Sequence, residues 1–276
     1  MLLTRMNVVS PFGAAQACLN RDWLEHRFSL FERYTLPSVM AQVGAAPFTW
    51  VLFSHPETPA DFKARLTEYA RRLPFIRIEP CAEFDGVSAR QAVANLLHPE
   101  TDQVITSRVD NDDAIGRTFI ATVQAEAAKA PLQHGGCFIN FDLGYQLEAG
   151  KVYHAEHRSN PFCSVVEQRE GFKGVYAVQH NDLASLYPVV NVEDGRRWLA
   201  VIHDRNAVNR VDGVRCRSAE LVTEFDWLPP GEVVPYGWIG VHTQRVSALA
   251  RRAVSKLQRT IPLRTPSGAR DKNQAD

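Results

Sequence analysis

The first half of the chain alternates short apolar runs with longer stretches whose apolar residues recur every three to four positions. LLTRMNV is short and apolar and runs into Ser-Pro-Phe-Gly, so it reads as a first strand followed by a loop. DWLEHRFSLFERYTLPSVMAQ spaces Trp23, Phe28, Phe31, Leu36, Val39 and Met40 as a helix does, with Pro37 opening a second helix or a turn inside it. FTWVLFS is a buried strand by its length and its aromatic and β-branched content. TPADFKARLTEYARRL is a helix with a cap-plus-proline start. FIRIEP is a strand, SARQAVANLL a helix entered from Asp85-Gly86, and QVITSRV a strand. AIGRTFIATVQAEAAKA is predicted as the helix that follows.

This β-α-β-α order predicts an α/β fold with a doubly wound, mainly parallel sheet and helices on both faces. Ligands of such sheets sit beyond the carboxyl ends of the strands. The second half is less regular. GGCFINFDLGYQLEAGKVYHAE suggests a hairpin with turns near Leu143-Gly144 and Ala149-Gly150, and GVYAVQH and RRWLAVIH suggest strands. Pro161, Pro188, Pro229, Pro230 and Pro235 punctuate long loops. Residues 243–261 read as a basic amphipathic helix, with Val246, Leu249, Ala253, Leu257 and Ile261 on one side. The tail, 264–276, is polar and expected to be disordered.

Composition narrows the classes. Apolar residues make up 45% of 276, enough for a core, and Lys plus Arg equal Asp plus Glu at 31 each. No bulk basic field exists for wrapping nucleic acid. The five cysteines are scattered and have no C-x-x-C spacing, which points away from a disulfide scaffold and toward buried thiols in a reducing cytoplasm. The N-terminal run is broken by Arg5 and Asn7 and reads as a strand rather than a signal peptide. No window reaches the roughly 18 apolar residues of a membrane span.

One stretch stands apart. QVITSRV leads into Asp110, Asn111, Asp112 and Asp113. Carboxylates this close repel unless solvated, capping a helix, or neutralised by a cation. Asp112 or Asp113 would suit the N-terminus of a helix beginning near Ala114. A calcium loop counted from Asp110 fails, because its fifth, sixth and twelfth positions are Ala114, Ile115 and Ala121. An Asp-x-Asp site for a hard ion, Mn2+ or Mg2+, is the third reading: Asp110 and Asp112 point the same way on an extended strand. Such an ion would clamp a diphosphate and neutralise the charge that builds on it as it leaves.

TSRVDNDDAI, with RFSLFERYTLPSVMAQ before it and WLAVIHDRN after it, resembles the rhamnosyltransferase family and, more broadly, GT-A glycosyltransferases. The resemblance spans Leu3 to Asn209 and is most specific at TLPS…Q and RVDNDDA. It implies a metal-dependent transferase moving a sugar, by the family name rhamnose, from a nucleotide-sugar donor to a saccharide or lipid-linked saccharide in surface polysaccharide synthesis. It implies one domain over 1–263, with 1–130 binding the nucleotide-sugar and 131–263 shaping the acceptor pocket. Asp110 and Asp112 match the metal and diphosphate site, with Asn111 between them. Arg108 would contact donor phosphate or sugar, or else pair with a nearby acid. Ser88 and Arg90 would face the nucleotide, or else only start a capped helix. Thr4 and Arg5 would receive base and ribose. His203 would complete the metal shell, with Asn206 and Asn209 in the same loop.

A general base for the acceptor hydroxyl is sought in the second half, at Asp142 or Glu167. Trp198, Trp227, Trp238 and Tyr236 are candidates for stacking on sugar. The helix at 243–261 would rest peripherally on an anionic membrane surface or simply present a solvated face. Two other functions compete. A phosphoesterase using two metals needs more clustered His and Asp ligands than the dispersed histidines offer, and a non-catalytic domain of the same fold would not need Asp110 and Asp112. Glycoside hydrolysis is a weaker reading, since its paired carboxylates need a sugar-wide cleft between them.

Overall fold

The first apolar run forms strand β1 (Leu2–Asn7). Helix α1 (Arg21–Leu30) follows, then a π-helical segment (Phe31–Thr35) and the short helix α2 (Leu36–Met40). Strand β2 (Trp50–Ser54), helix α3 (Ala60–Arg72), strand β3 (Ile76–Pro80), helix α4 (Gly86–Leu96) and strand β4 (Gln103–Arg108) continue the alternation. The structure is a computed structural model, and it describes residues 1–9, 17–204 and 210–237. The Ser-Pro-Phe-Gly loop, Asn206, Asn209, Trp238, the helix expected at 243–261 and the tail lie outside the described residues. Met1–Pro235 forms one compact unit.

Beyond β4 come β5 (Ala114–Ile115), α5 (Phe119–Ala127), β6 (Gly136–Phe141), β7 (Leu143–Glu148) and β8 (Lys151–Glu156). Strands β9 (Ser164–Gln168), β10 (Val189–Val192), β11 (Trp198–Ile202) and β12 (Val214–Arg215) complete the set. The larger sheet runs β10-β6-β9-β4-β1-β2-β3, and the smaller β12-β8-β7-β11-β5. In the larger sheet only β9 opposes its neighbours, β4 and β6. Side chains alternate across that sheet. On one face α1, α3 and α5 bury Phe28, Phe62 and Phe119 against Leu2, Met6 and Trp50. On the other, Ala89, Ala92 and Val93 of α4 meet Leu3, Val51 and Phe53. The doubly wound, mainly parallel fold expected from the sequence is therefore present. All five cysteines are buried, and none is in a disulfide. Among the described residues no helix is long and apolar enough to cross a membrane.

Several expectations are corrected. The helix after the acids starts at Phe119, not Ala114, because Ala114 and Ile115 pair with Leu199 and Trp198 in the smaller sheet. Leu143-Gly144 is not a turn: Asp142 carries the chain from one sheet to the other. The hairpin turn is at Ala149 and Gly150, both at positive φ. GVYAVQH is no strand. The amides of Lys173 and Gly174 go to the Glu167 carboxylate and that of Val175 to the Thr106 hydroxyl, which leaves no ladder for the segment to join. Thr58 does not cap α3: Pro59 holds the cap position, and the Thr58 hydroxyl joins Asn7 and His55.

The crossing at Asp142 is tight. Trp198 is 2% exposed, stacks on Phe162 with centroids 5.0 Å apart, and donates from Nε1 to the Phe141 carbonyl at 2.8 Å. A Cβ on Gly144 would meet the Trp198 ring at 2.0 Å. Gly144→Ala is expected to destabilise the fold by about 2–3 kcal/mol. Urea unfolding measures this, and an unchanged midpoint would contradict the close approach.

Candidate functional site

Strand β4 delivers the acids at its carboxyl end, where the chain leaves the larger sheet for the smaller. Each carboxylate has its own partner. Asp110 Oδ1 accepts from Arg5 Nη2 at 2.8 Å. Asp112 Oδ2 accepts from Arg27 of α1 and lies 3.0 Å from His203 Nε2. Asp113 Oδ1 accepts from the Val201 amide at 2.9 Å, and its carbonyl accepts from the Thr35 hydroxyl at 2.7 Å. None of them caps α5, whose cap position is Thr118. Burial pushes the Asp110 carboxyl up, but the charge and hydrogen bond of Arg5, with Arg108 and Arg27 behind it, hold it below the usual range. Asp113 is held well above that range, by burial first and then by Asp112 and Asp110.

The other expected donor-binding residues divide. Arg5 stands at the site, its guanidinium raised chiefly by Asp110, and lies 5.5 Å from the centroid of Tyr176. Arg108 lies 5.4 Å from the same ring and donates from Nε to the Pro161 carbonyl at 2.8 Å. Thr4 is buried inside the sheet, and its hydroxyl accepts from Trp50 Nε1 at 3.0 Å, so it offers nothing to a base or ribose. Asn111 is buried and donates to the Met6 carbonyl at 2.6 Å, which pins the acidic turn to β1. Ser88 forms a capping box with Asp85, and Arg90 is exposed on α4. Trp198 is a core anchor. Trp227 packs at the edge of the smaller sheet's core, with Phe225.

The two proposed bases stand at opposite ends of the sheet. Glu167 pairs with Val104, six residues before Asp110, which separates them by roughly 20 Å along the strand. It is fully buried, and both its oxygens hold the loop amides at 173 and 174, so its role is structural. Asp142 lies at the same level as Asp110. Ile139 and Ser107 both pair with Ser164, and each acid follows three residues later. At Ser164 their strands lie two spacings, roughly 10 Å, apart. Asp142 is buried, accepts from Asn140 Nδ2 at 2.8 Å, and its carboxyl is raised by burial against the opposing pull of Asn140.

Asp112 and His203 suit a divalent ion. Their facing atoms, 3.0 Å apart, are spaced like adjacent corners of an octahedron with bonds near ~2.1 Å. Carboxylate oxygen with imidazole nitrogen is a donor pair that Mn2+ accepts. Three nearby residues escape sequence reasoning. Arg27 and His26 sit on a helix distant in the chain, and His26 Nε2 is 3.4 Å from His203 Nδ1. Tyr176 lies in a turn, bracketed by Arg5 and Arg108, with a buried hydroxyl that has no partner among the described residues and is pushed up to about 12, chiefly by burial.

A model of the family described as "Putative rhamnosyl transferase" matches residues 12–215. Among solved structures, S. aureus TarS is similar at 10% identity and a TM-score of 0.40, over 73% of this chain and 36% of that one. A shorter form of TarS in complex with UDP gives 12% identity and 0.38, over 73% and 61%. A 4-diphosphocytidyl-2C-methyl-D-erythritol synthase from Anaerococcus prevotii gives 11% identity and 0.37, over 70% and 87%. This chain thus spans little more than a third of the longer TarS structure. No curated protein matches the sequence.

The raised Asp113 carboxyl makes stability depend on pH. The folded state holds this proton more tightly than the unfolded chain, so stability is greatest below the ordinary carboxylate pKa and falls as pH rises through the raised one. Asp113→Asn keeps an acceptor for the Val201 amide and removes the buried charge. In chelator at neutral pH it is expected to stabilise the protein by on the order of 1–2 kcal/mol and to flatten the pH profile. Thermal unfolding across pH measures this, and a variant less stable than wild type at neutral pH would contradict it.

Proposed function

This chain belongs to the family of putative rhamnosyl transferases, and from that premise we propose that it moves a sugar from a nucleotide-sugar donor to a saccharide or lipid-linked saccharide acceptor. Rhamnose is the sugar the family description offers. One observation carries the reading: Asp110 and Asp112 stand beyond the carboxyl end of β4, where an open α/β sheet receives its ligand, and Asp112 faces His203 at 3.0 Å. Asp112 and His203 would hold a divalent cation, with Asp110 beside them. The cation, when bound, would neutralise charge on the departing diphosphate.

The chain's own residues supply the rest. Arg5 and Arg108 place two fixed positive charges beside Asp110, where they favour an anionic donor. The Tyr176 ring between them holds both guanidinium groups in place. Asp142 takes the proton of the acceptor hydroxyl, and its raised carboxyl brings it nearer the pH at which such a base works best.

Calorimetric titration with UDP, GDP and dTDP, each with and without Mn2+, tests the donor side. One nucleotide is expected to bind only with the ion, and Asp110→Asn to weaken it by at least about 10-fold. No binding of any nucleotide to folded protein would sink the proposal. With the donor identified, Asp142→Asn is expected to lower kcat by about 100-fold or more at unchanged nucleotide affinity. Glu167→Gln is expected to keep kcat and lose stability, by about 1–2 kcal/mol. Equal loss of kcat in both variants would remove Asp142 from the role.

A further inference from the structure

His203 shows a second face. Its Nδ1 looks away from Asp112 toward His26 Nε2, 3.4 Å distant, with ring centroids 5.1 Å apart and planes at 69°. That separation lies beyond the ~2.7–3.2 Å range of N–H···O hydrogen bonds. It fits two nitrogens on one ion, since bonds of ~2.0–2.1 Å at a tetrahedral angle set them roughly 3.3–3.4 Å apart. The carboxylate of Asp204 completes a trio whose ligand atoms all lie within 4.8 Å of one another. His203 also lines a cleft of about 390 Å3.

We propose that His26, His203 and Asp204 form a second cation site, suited to a borderline transition ion such as Ni2+ or Zn2+ rather than Mg2+. Two imidazoles and one carboxylate favour that class, whereas Mg2+ prefers an all-oxygen shell. Asp112 then becomes the outer partner of the ligating imidazole, since a metal-bound His regularly donates its other N–H to a carboxylate. A neutral imidazole has one lone pair. An ion on Nδ1 therefore leaves Nε2 as an N–H, which cannot also ligate an ion at Asp112. The two positions exclude each other, and this exclusion alone rests on the proposed role of Asp112 and His203; the site itself does not.

The test uses full-length protein without a polyhistidine tag, stripped with chelator and titrated calorimetrically with NiCl2. Wild type, His26→Ala and Asp110→Asn are compared, and Mn2+-dependent UDP binding is measured on the same samples. Wild type is expected to bind Ni2+, Asp110→Asn to keep that binding, and His26→Ala to weaken it at least about 10-fold. His26→Ala is also expected to retain whatever Mn2+-dependent UDP binding wild type shows, and to lose its sensitivity to added Ni2+. Equal Ni2+ affinity in wild type and His26→Ala overturns the inference. So does an intense sulfur-to-cobalt charge-transfer band in Co2+-loaded protein, which would place the ion at His154, Cys216 and Glu220, the other trio of suitable ligands among the described residues. Absence of nucleotide binding would count against the transferase reading and leave the Ni2+ comparison intact.

Discussion

Three carboxylates in a single turn must each be given a separate partner, and the rest of the molecule is arranged around that demand. Asp110 is answered by Arg5 from β1, Asp112 by Arg27 from α1 and His203 after β11, and Asp113 by the Val201 amide of β11. The turn consequently ties the larger sheet, the smaller sheet and the first helix at one place. Like-charge repulsion at 110–113 is converted into attraction toward three different elements. Burial first, and then the charges of Asp112 and Asp110, hold the Asp113 carboxyl well above the usual range, which lowers the charge the turn must balance.

Most of the larger sheet was readable from periodicity. β1 to β4 and their helices fall where apolar runs and 3.6-residue spacing put them, because each buries a continuous or striped apolar surface. The misses have local causes. SVVEQ carries a fully buried glutamate that resembles a loop acid in one dimension, yet its carboxylate is satisfied by two amides from the following loop. GVYAVQH has strand-like composition, but Gly174 adopts positive φ and the amides there are claimed by side chains. The two-residue strand at Ala114–Ile115 is too short for any pattern to reveal.

The site divides similarly. Asp110, Asp112 and His203 could be named as candidates because the acids are clustered and the histidine closes an apolar strand. The structure brings the last two to 3.0 Å. Thr4 was expected at the end of the first strand, but β1 runs on to Asn7 and the Thr4 hydroxyl accepts from Trp50 inside the sheet, while the Asn111 amide is spent on the Met6 carbonyl. Histidines dispersed along the chain looked unable to cluster, yet the fold brings His26 of α1 to His203, just after β11, across 177 residues. Such convergence leaves no spacing to read.

The π-helical segment has a consequence of its own. Between Phe31 and Thr35 the helix takes one residue more per turn, so the Leu36 amide reaches back five positions to the Phe31 carbonyl. Everything after it is turned by about 100° relative to an uninterrupted α-helix. That rotation points Thr35 at the Asp113 carbonyl, and Gln42 at the Gly116 carbonyl and the Ile120 amide. The TLPS…Q segment is thus a bracket set to angle by a single surplus residue. Deleting one residue there would restore ideal helix geometry and swing the bracket away from the acidic turn, so the bonds that hold this turn depend on an irregular helix.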